Sequence, residues 1–380
     1  MNNKIPFVGL HAHSGVGSPF DGLGYPAEHM NYAYNNGSDA LALTDHGNQN
    51  GLSWQVLHAK KMHAEGKEFK PIFGVEAYFL PSVKEWRKEY ETAKADKKAK
   101  KKIDTSRSAT TVEDEGASKQ SVKNILNRRR HLILLAQNQT GLSNIFKLVS
   151  DSFSPENFYR FPRVDYDLLQ EHSEGVIASS ACLGGVYAGN YWENRDAGPD
   201  AIMKAMHETT ERMQDIFGDR WYGELQWNNI SDQHELNQYI IRTSKECGFK
   251  LISTADSHYP SPTAWKDREL YKRLGWLGKG ATASWMTAEL PAGLEEIGYE
   301  LYPKNGEQMW ESYQNYSKEC EVEYDDDLVM KSITETYHIA HNRIESFLPD
   351  NTVRLPEFVV PAGHTADSAL TAVCIDGLRD

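Results

Sequence analysis

The chain has 380 residues, 39% of them hydrophobic and 25% charged, with a formal net charge of -13 at pH 7. That length holds one large α/β domain with an appendage, or two to three ordinary domains, and the acidic balance excludes a general nucleic-acid-coating surface, so any such grip must be local or lie on a partner. No apolar stretch approaches the roughly 20 residues that span a bilayer, and the first residues lack the apolar core of a signal peptide, so the expectation is a cytoplasmic protein with no membrane partner.

In chain order, Phe7-Val8-Gly9-Leu10 reads as a short strand that delivers His11. Pro26 to Asn36 reads as a helix with Met30, Ala33 and Tyr34 at helical spacing, stopped by Gly37. Ala40 to Leu43 is a buried strand delivering Asp45-His46-Gly47, and a helix near Leu52 to Glu65 leads to the strand Ile72 to Val75 and then Glu76. This β-α-β-α-β rhythm favours a parallel sheet or barrel. Lys84 to Arg130 breaks it with a lysine run and a Ser/Thr/Glu-rich stretch, the composition of a surface insertion that is partly helical and partly disordered. A solvated loop is the first reading of this insertion, and a nucleic-acid-contacting arm the second. Order resumes with His131 at the head of Leu132 to Leu135. The stripe Met203, Met206, Thr210, Met213, Phe217 has helical period and reads as core. Trp221 to Gln226 reads as a strand, Asp232 with Glu235 as the capping box of the next helix, and Leu251 to Thr254 as the strand delivering Asp256 and His258. Glu295 to Asp350 is acidic and mostly helical.

Imidazole, carboxylate and thiolate bind divalent transition metals. His11-Ala12-His13 and Asp256-Ser257-His258 each set two such groups one residue apart at a strand edge, and Asp45-His46, Glu76, His131 and Cys182 lie between them, most at the edge of another apolar run. Each alone is unremarkable. Their joint placement implies sequence-distant strands converging on one polynuclear metal pocket, as barrel enzymes are built. Cys182, Cys247, Cys320 and Cys374 form no CxxC pair and no disulfide framework. The remaining histidines, including His29, His58, His63, His172 and His234, offer no partner at ligand spacing.

On these residues the chain resembles the PHP (polymerase and histidinol phosphatase) domain of bacterial, C-family DNA polymerase III alpha subunits. His11-Ala12-His13-Ser14 with Asp21-Gly22, Thr44-Asp45-His46-Gly47, Gly74-Val75-Glu76, Arg130 to Ala136, Ser180 to Gly185 and Asp256 to Tyr259 are similar to successive motifs of that family. Gly141 to Asn144, Phe161 to Asp165 and Tyr222 to Gln226 are similar to alpha-subunit segments between them. The resemblance implies a distorted (βα)7, TIM-like barrel over residues 1–285, followed by a mainly helical extension over 286–380. A weaker likeness at Leu355 to Gly363 resembles the approach to a polymerase palm. The resemblance further implies metal ligands at His11, His13, Asp21, His46, Glu76, His131, Cys182, Asp256 and His258, with Asp21 the least secure because the span from His13 is one residue longer than is usual in that family. Two or three divalent ions are expected, zinc or manganese first and magnesium or iron also compatible. The implied activity is phosphoester hydrolysis, as 3′–5′ proofreading on a DNA 3′ end, with His13, Asp256 and His258 central to catalysis; Arg163 reads first as an ordinary surface arginine and second as a phosphate contact. The implied partners are a polymerase palm and fingers, on this or another chain, and replisome proteins such as a sliding clamp. The palm carboxylates are not in this sequence, so the chain by itself is not expected to polymerise DNA. A structural docking module and a stand-alone phosphatase of small esters are the alternatives.

Overall fold

The computed structural model describes residues 4–104, 124–277, 300–350, 352 and 359–378. It divides into two compact units, Met1–Leu348 and Pro349–Asp380. In the first, strands β1 (Ala40–Leu43), β2 (Lys70–Phe79), β3 (Arg130–Ala136), β4 (Phe158–Tyr159), β5 (Phe161–Val164), β6 (Val176–Ser179), β7 (Trp221–Gln226) and β8 (Lys250–Thr254) form one curled sheet. The first half of β2 pairs parallel to β1, its second half pairs antiparallel to β3, and its last two residues pair parallel to β5. β6, β7 and β8 follow in parallel.

The segment before His11, read as a strand, pairs by single bridges, Gly9 with Leu41 and Ala12 with Ser257. Those bridges join β1 to the end of β8. With them, seven extended segments (the N-terminal one, β1, β2, β3, β6, β7 and β8) follow one another around a barrel. The expected parallel order fails at β3, which runs antiparallel to both β2 and β6. The cause lies in the connections. Phe79, ending β2, faces Arg130, starting β3, and Ala136, ending β3, faces Val176, starting β6. Each link therefore leaves and returns at the same end of the sheet, whereas a parallel neighbour needs a crossover. This reversal carries His131, at the start of β3, to the same end as His46 and Glu76.

Alternation along the strands sorts the core into layers. Val8, Leu10, Ala40, Ala42, Ile72, Ile133, Leu135, Ile177, Tyr222 and Ile252 make one buried cluster with Ile339, Ala340 and Ile344. Phe73, Val75, Ala77, Leu132, Leu134, Ala178, Leu225 and Leu251 point the other way, to the helices. The methionine stripe is buried core on the helix Pro199–Phe217. The helices Gly306–Glu319 and Asp326–His338 belong to the barrel's unit and not to a linker beginning at residue 286. Val8 N–H donates to Thr336 Oγ1 at 3.1 Å, the Ser253 and Ser332 hydroxyls are 2.7 Å apart, and Lys250 pairs with Glu335 at 2.8 Å.

Two further expectations change. The insertion opens with a packed helix, Val83–Asp104, because Trp86 and Tyr90 are buried with Leu80, Val83 and Ile125; residues 105–123 lie outside the described residues. The helix Ser231–Cys247 starts at Ser231 without a side-chain cap. Glu235 instead accepts the Tyr191 hydroxyl at 2.6 Å, and Asp232 pairs with Arg195 at 3.0 Å. In the second unit, Ala366–Gly377 is a helix opened by Thr365 and Ser368 as a reciprocal cap; Leu355 to Phe358 lie outside the described residues. Among the described residues no helix is long and apolar enough to cross a membrane.

Candidate metal centre

Three overlapping groups of side chains crowd one end of the barrel. His11, His13, Glu76 and Asp256 form one, His46, Glu76 and His131 the second, and His13, His46 and His258 the third; within each, one donor atom per residue lies within 4.8 Å of the others. Glu76 is buried at the middle of this set. One of its oxygens is 2.8 Å from His11 Nε2 and 3.4 Å from His13 Nε2, and the other is 2.8 Å from both His46 Nδ1 and His131 Nδ1. Asp256 Oδ1 is 3.0 Å from His11 Nε2 and 3.2 Å from His13 Nε2.

Asp21 and Cys182 stand at the edge of the cluster and outside the three groups. Asp21 Oδ2 reaches His46 Nε2 at 2.9 Å and His258 Nε2 at 3.5 Å, while its other oxygen takes a 2.7 Å bond from Arg268. Cys182 Sγ is 3.5 Å from His131 Nδ1.

The backbone is bent to bring these groups together. Asp256 has φ 48° and Ala181, just before Cys182, has φ 59°. Non-glycine residues pay for that left-handed conformation, and such strain collects at functional sites. Gly47, after His46, also has positive φ, and a Cβ there would press on Pro162 and Tyr78.

A cation fits this donor set. Asp256 Oδ1 is buried yet accepts no hydrogen bond of acceptable geometry, although three imidazole nitrogens, of His11, His13 and His258, lie 3.0 to 3.4 Å away. Lone pairs that face a shared space rather than each other are what a metal ion uses, and a buried carboxylate oxygen otherwise needs a partner. Nitrogen, oxygen and thiol donors together suit zinc or manganese.

The electrostatics agree. Burial disfavours the charged ring of His11, but the charges of Asp256 and Glu224 outweigh it and hold His11 well above its ordinary value. Burial opposes charge at His46 too, and Glu76 and Asp21 raise it. Glu76, Asp256 and Asp21 are each disfavoured as anions by burial and yet held well below the carboxylate range by neighbouring histidines. Burial, with Asp256 and Glu76 nearby, pushes the Cys182 thiol up. Without metal, the anions retain protons on the rings; a bound cation would replace those protons.

Glu224 is the functional residue that sequence reasoning missed. It is buried on β7, takes His11 Nδ1–H at 2.6 Å, and is held by the Ser179 and Thr254 hydroxyls at 2.7 and 2.5 Å. A carboxylate behind a ligand imidazole fixes its tautomer, here leaving His11 Nε2 free for a cation. The sequence carried no distinct signal for it, since the burial of all six residues of its strand is seen only in the fold. Asp45, named with His46 among the metal-competent residues but left out of the ligand set, has a different place. It accepts from Ser14 N–H, Ser14 Oγ and Ser18 Oγ at 2.7 to 2.9 Å and so shapes the loop between His13 and Asp21.

Arg163 is not a phosphate contact. It is fully buried, its guanidinium donates to the Tyr159 and Leu126 carbonyls at 2.8 and 2.6 Å, and it lies 3.8 Å over the Trp86 ring. It ties β5 to the insertion. His29 and His234 are also buried, bonded to the Leu23 and Asn228 carbonyls, and take no part in the cluster.

The model of the PHP domain matches residues 9–228. A DNA polymerase III subunit alpha of Aquifex aeolicus is 33% identical over 376 residues, covering 98% of this chain and 27% of that protein. The protein of the same name from Borreliella burgdorferi is 30% identical over 384 residues, with 100% and 27% covered. The chain thus spans about a quarter of the length of these curated relatives. A solved amidohydrolase from Chromobacterium violaceum, with sulfate and no metal bound, matches with a TM-score of 0.35 at 14% identity over 70% of this chain and 96% of that one. With more than half of its length matched by the family's model, this chain belongs to the PHP domain family.

Proposed function

We propose that this chain is the metal-dependent phosphoesterase of a C-family DNA polymerase III alpha subunit, removing nucleotides from a DNA 3′ end in proofreading. The observation that carries the reading is the sharing of ligands: His13, His46 and Glu76 each belong to two of the three donor groups. Shared ligands suit two or three neighbouring ions, the arrangement used in phosphodiester displacement. When bound, such ions activate water and neutralise charge that develops on the phosphate.

The chain's own residues do the rest. His11, His13, Glu76 and Asp256 would hold one ion, with His46, His131 and His258 completing the others and Asp21 and Cys182 bordering them. Glu224 keeps the His11 Nδ1 proton away from the centre, so that Nε2 presents a lone pair. Arg268 orients Asp21. His13, Asp256 and His258 are buried within the cluster and are the residues on which turnover would depend most. The relatives' printed name, DNA polymerase III subunit alpha, supports DNA as the partner in this reading, and a polymerase palm and replisome proteins such as the clamp are proposed with it.

The test is digestion of single-stranded DNA labelled at either end. The reading predicts cleavage from the 3′ end that stops with chelator, returns with manganese or zinc, and is lost in His13→Ala and Asp256→Asn. Cleavage that persists in chelator would overturn it. Hydrolysis of small phosphate esters with DNA ends untouched would move the assignment to a small-ester phosphatase, and metal uptake without any hydrolysis to a structural module.

A further inference from the structure

Three consecutive arginines precede His131, and two of them are neutralised. Arg128 forms a two-pronged pair with Glu89 at 2.7 and 3.0 Å, and Arg130 pairs with Glu193. Arg129, between them, pairs with no carboxylate among the described residues. Its Nη1 donates to the Asn127 carbonyl at 3.0 Å, and its Nε is buried without a hydrogen-bond partner. A buried N–H with no acceptor is costly, and a charged one more so.

The guanidinium is held in place by aromatic rings. Arg129 Cζ lies 4.1 Å from the ring centroid of Phe161 and 5.0 Å from that of Tyr78. Cation–π contact of this kind fixes a guanidinium without neutralising it. Arg160, exposed and with φ 66°, places its own guanidinium 5.6 Å from the same Phe161 ring. Arg163 lies 5.7 Å from it on the buried side. Positive charge therefore gathers around one ring in a chain whose net charge is strongly negative.

The location gives the charge a purpose. Tyr78 packs against two residues of the metal cluster: its ring is stacked on His46 with centroids 6.2 Å apart and is tilted against His131 at 5.7 Å. One tyrosine ring thus separates an unneutralised guanidinium from the metal centre. A ligand with a single phosphate would fill the centre and leave Arg129 unsatisfied. A strand carries a phosphate at every nucleotide, and Arg binds phosphate with parallel N–H donors.

We propose that Arg129 is a substrate-binding residue that takes a second phosphate of a single-stranded nucleic acid while the metal cluster takes the terminal one. This rests on the exonuclease reading and adds the feature that would select a polymer over a small ester.

The test uses the full chain loaded with manganese and a fluorescent oligothymidylate whose 3′-terminal linkages are phosphorothioate, so that binding is read without cleavage. Arg129→Met keeps the apolar stem over Phe161 and removes the charge. Arg129→Gln removes the charge but keeps hydrogen-bonding groups, and Arg129→Lys restores the charge. Both neutral variants should bind the oligonucleotide about tenfold more weakly, the loss of one charged hydrogen-bonding group. Their dependence of log affinity on log salt should be shallower by about 0.7, the contribution of one phosphate contact on a single strand. The lysine variant should recover the slope. Metal content and turnover of bis(p-nitrophenyl) phosphate, which has one phosphate, should stay within about twofold in all three, since one contact accounts for the whole effect. Arg242→Ala, on the exposed face of the helix Ser231–Cys247, should change nothing. Wild-type affinity and slope in the neutral variants, with 3′–5′ cleavage intact in the wild type, would overturn the proposal and leave the exonuclease reading standing. A wild-type protein that turns over the small diester but binds no oligonucleotide would overturn both.

Discussion

Replacing Glu224 with glutamine changes one atom in a fully buried side chain, and the consequences can be worked out contact by contact. A glutamine carbonyl at the Oε1 position can still accept His11 Nδ1–H, now 2.6 Å away, and the Thr254 hydroxyl at 2.5 Å. Its amide then faces Ser179 Oγ, 2.7 Å from Oε2, which can accept instead of donate. Geometry and tautomer survive, and only the charge is lost. A neutral partner makes the imidazole a poorer donor to metal, and changes of this kind cost roughly 10- to 100-fold in metal affinity. Glu224→Ala is different in kind. It leaves His11 Nδ1–H and two hydroxyls without their acceptor inside the barrel, at about 1–3 kcal/mol for each group that finds no substitute. The glutamine variant should therefore fold almost as well as the wild type and bind metal weakly, whereas the alanine variant should lose stability as well. Competition with a chromogenic chelator gives the affinity, and urea denaturation of the metal-free protein gives the stability. Wild-type metal affinity in Glu224→Gln would refute the claim that this carboxylate acts through His11.

Three further outcomes follow from the same geometry. In the metal-free protein His11 and His46 have folded-state values raised well above 6.5, so their contribution to stability is complete below the unfolded value and is lost as pH rises through the folded one; thermal melts in chelator should weaken on the alkaline side of pH 6.5, and loading with metal should remove that loss. Asp256→Asn should keep the fold, because asparagine tolerates the left-handed backbone at φ 48°, while metal content and cleavage fall; loss of the fold in circular dichroism would contradict this. Arg163→Ala should lower stability by about 2 kcal/mol or more, through lost carbonyl bonds and lost packing on Trp86, with metal content unchanged; an unchanged urea midpoint would count against its structural role.

The gathering of donor side chains was legible because donors at strand ends stand out even when each is ordinary alone. His131 was the exception in the pattern, heading its strand instead of following it, and the antiparallel course of β3 accounts for that. Strand direction depends on where long connections return, and local periodicity carries no record of it. Glu224 escaped notice because a lone acid in a strand looks the same whether it faces solvent or the imidazole of His11. The arginines show the same limit. Arg163 sits in an extended run beside aromatics and reads as a surface contact, yet it is the buried one, while Arg129 in a run of like charges is the residue left unneutralised. Which arginine meets a glutamate is decided by Glu89 and Glu193, about 40 and 60 residues away along the chain and outside the reach of spacing arguments. The insertion shows the limit in reverse, since Trp86 and Tyr90 were signals of packing within a stretch judged by its charge.

His11, His13, Asp21, His46, Glu76, His131, Cys182, Asp256 and His258 are proposed to serve one polynuclear metal centre together. Metal stoichiometry tests it most directly, by elemental analysis of protein purified without chelator, beside His13→Ala. About two to three ions of zinc or manganese per chain are expected, as a shared-ligand phosphoesterase centre requires, with a sharp fall in the variant because His13 belongs to two donor groups. Less than one ion per chain in the wild type, even after exposure to both metals, would contradict it.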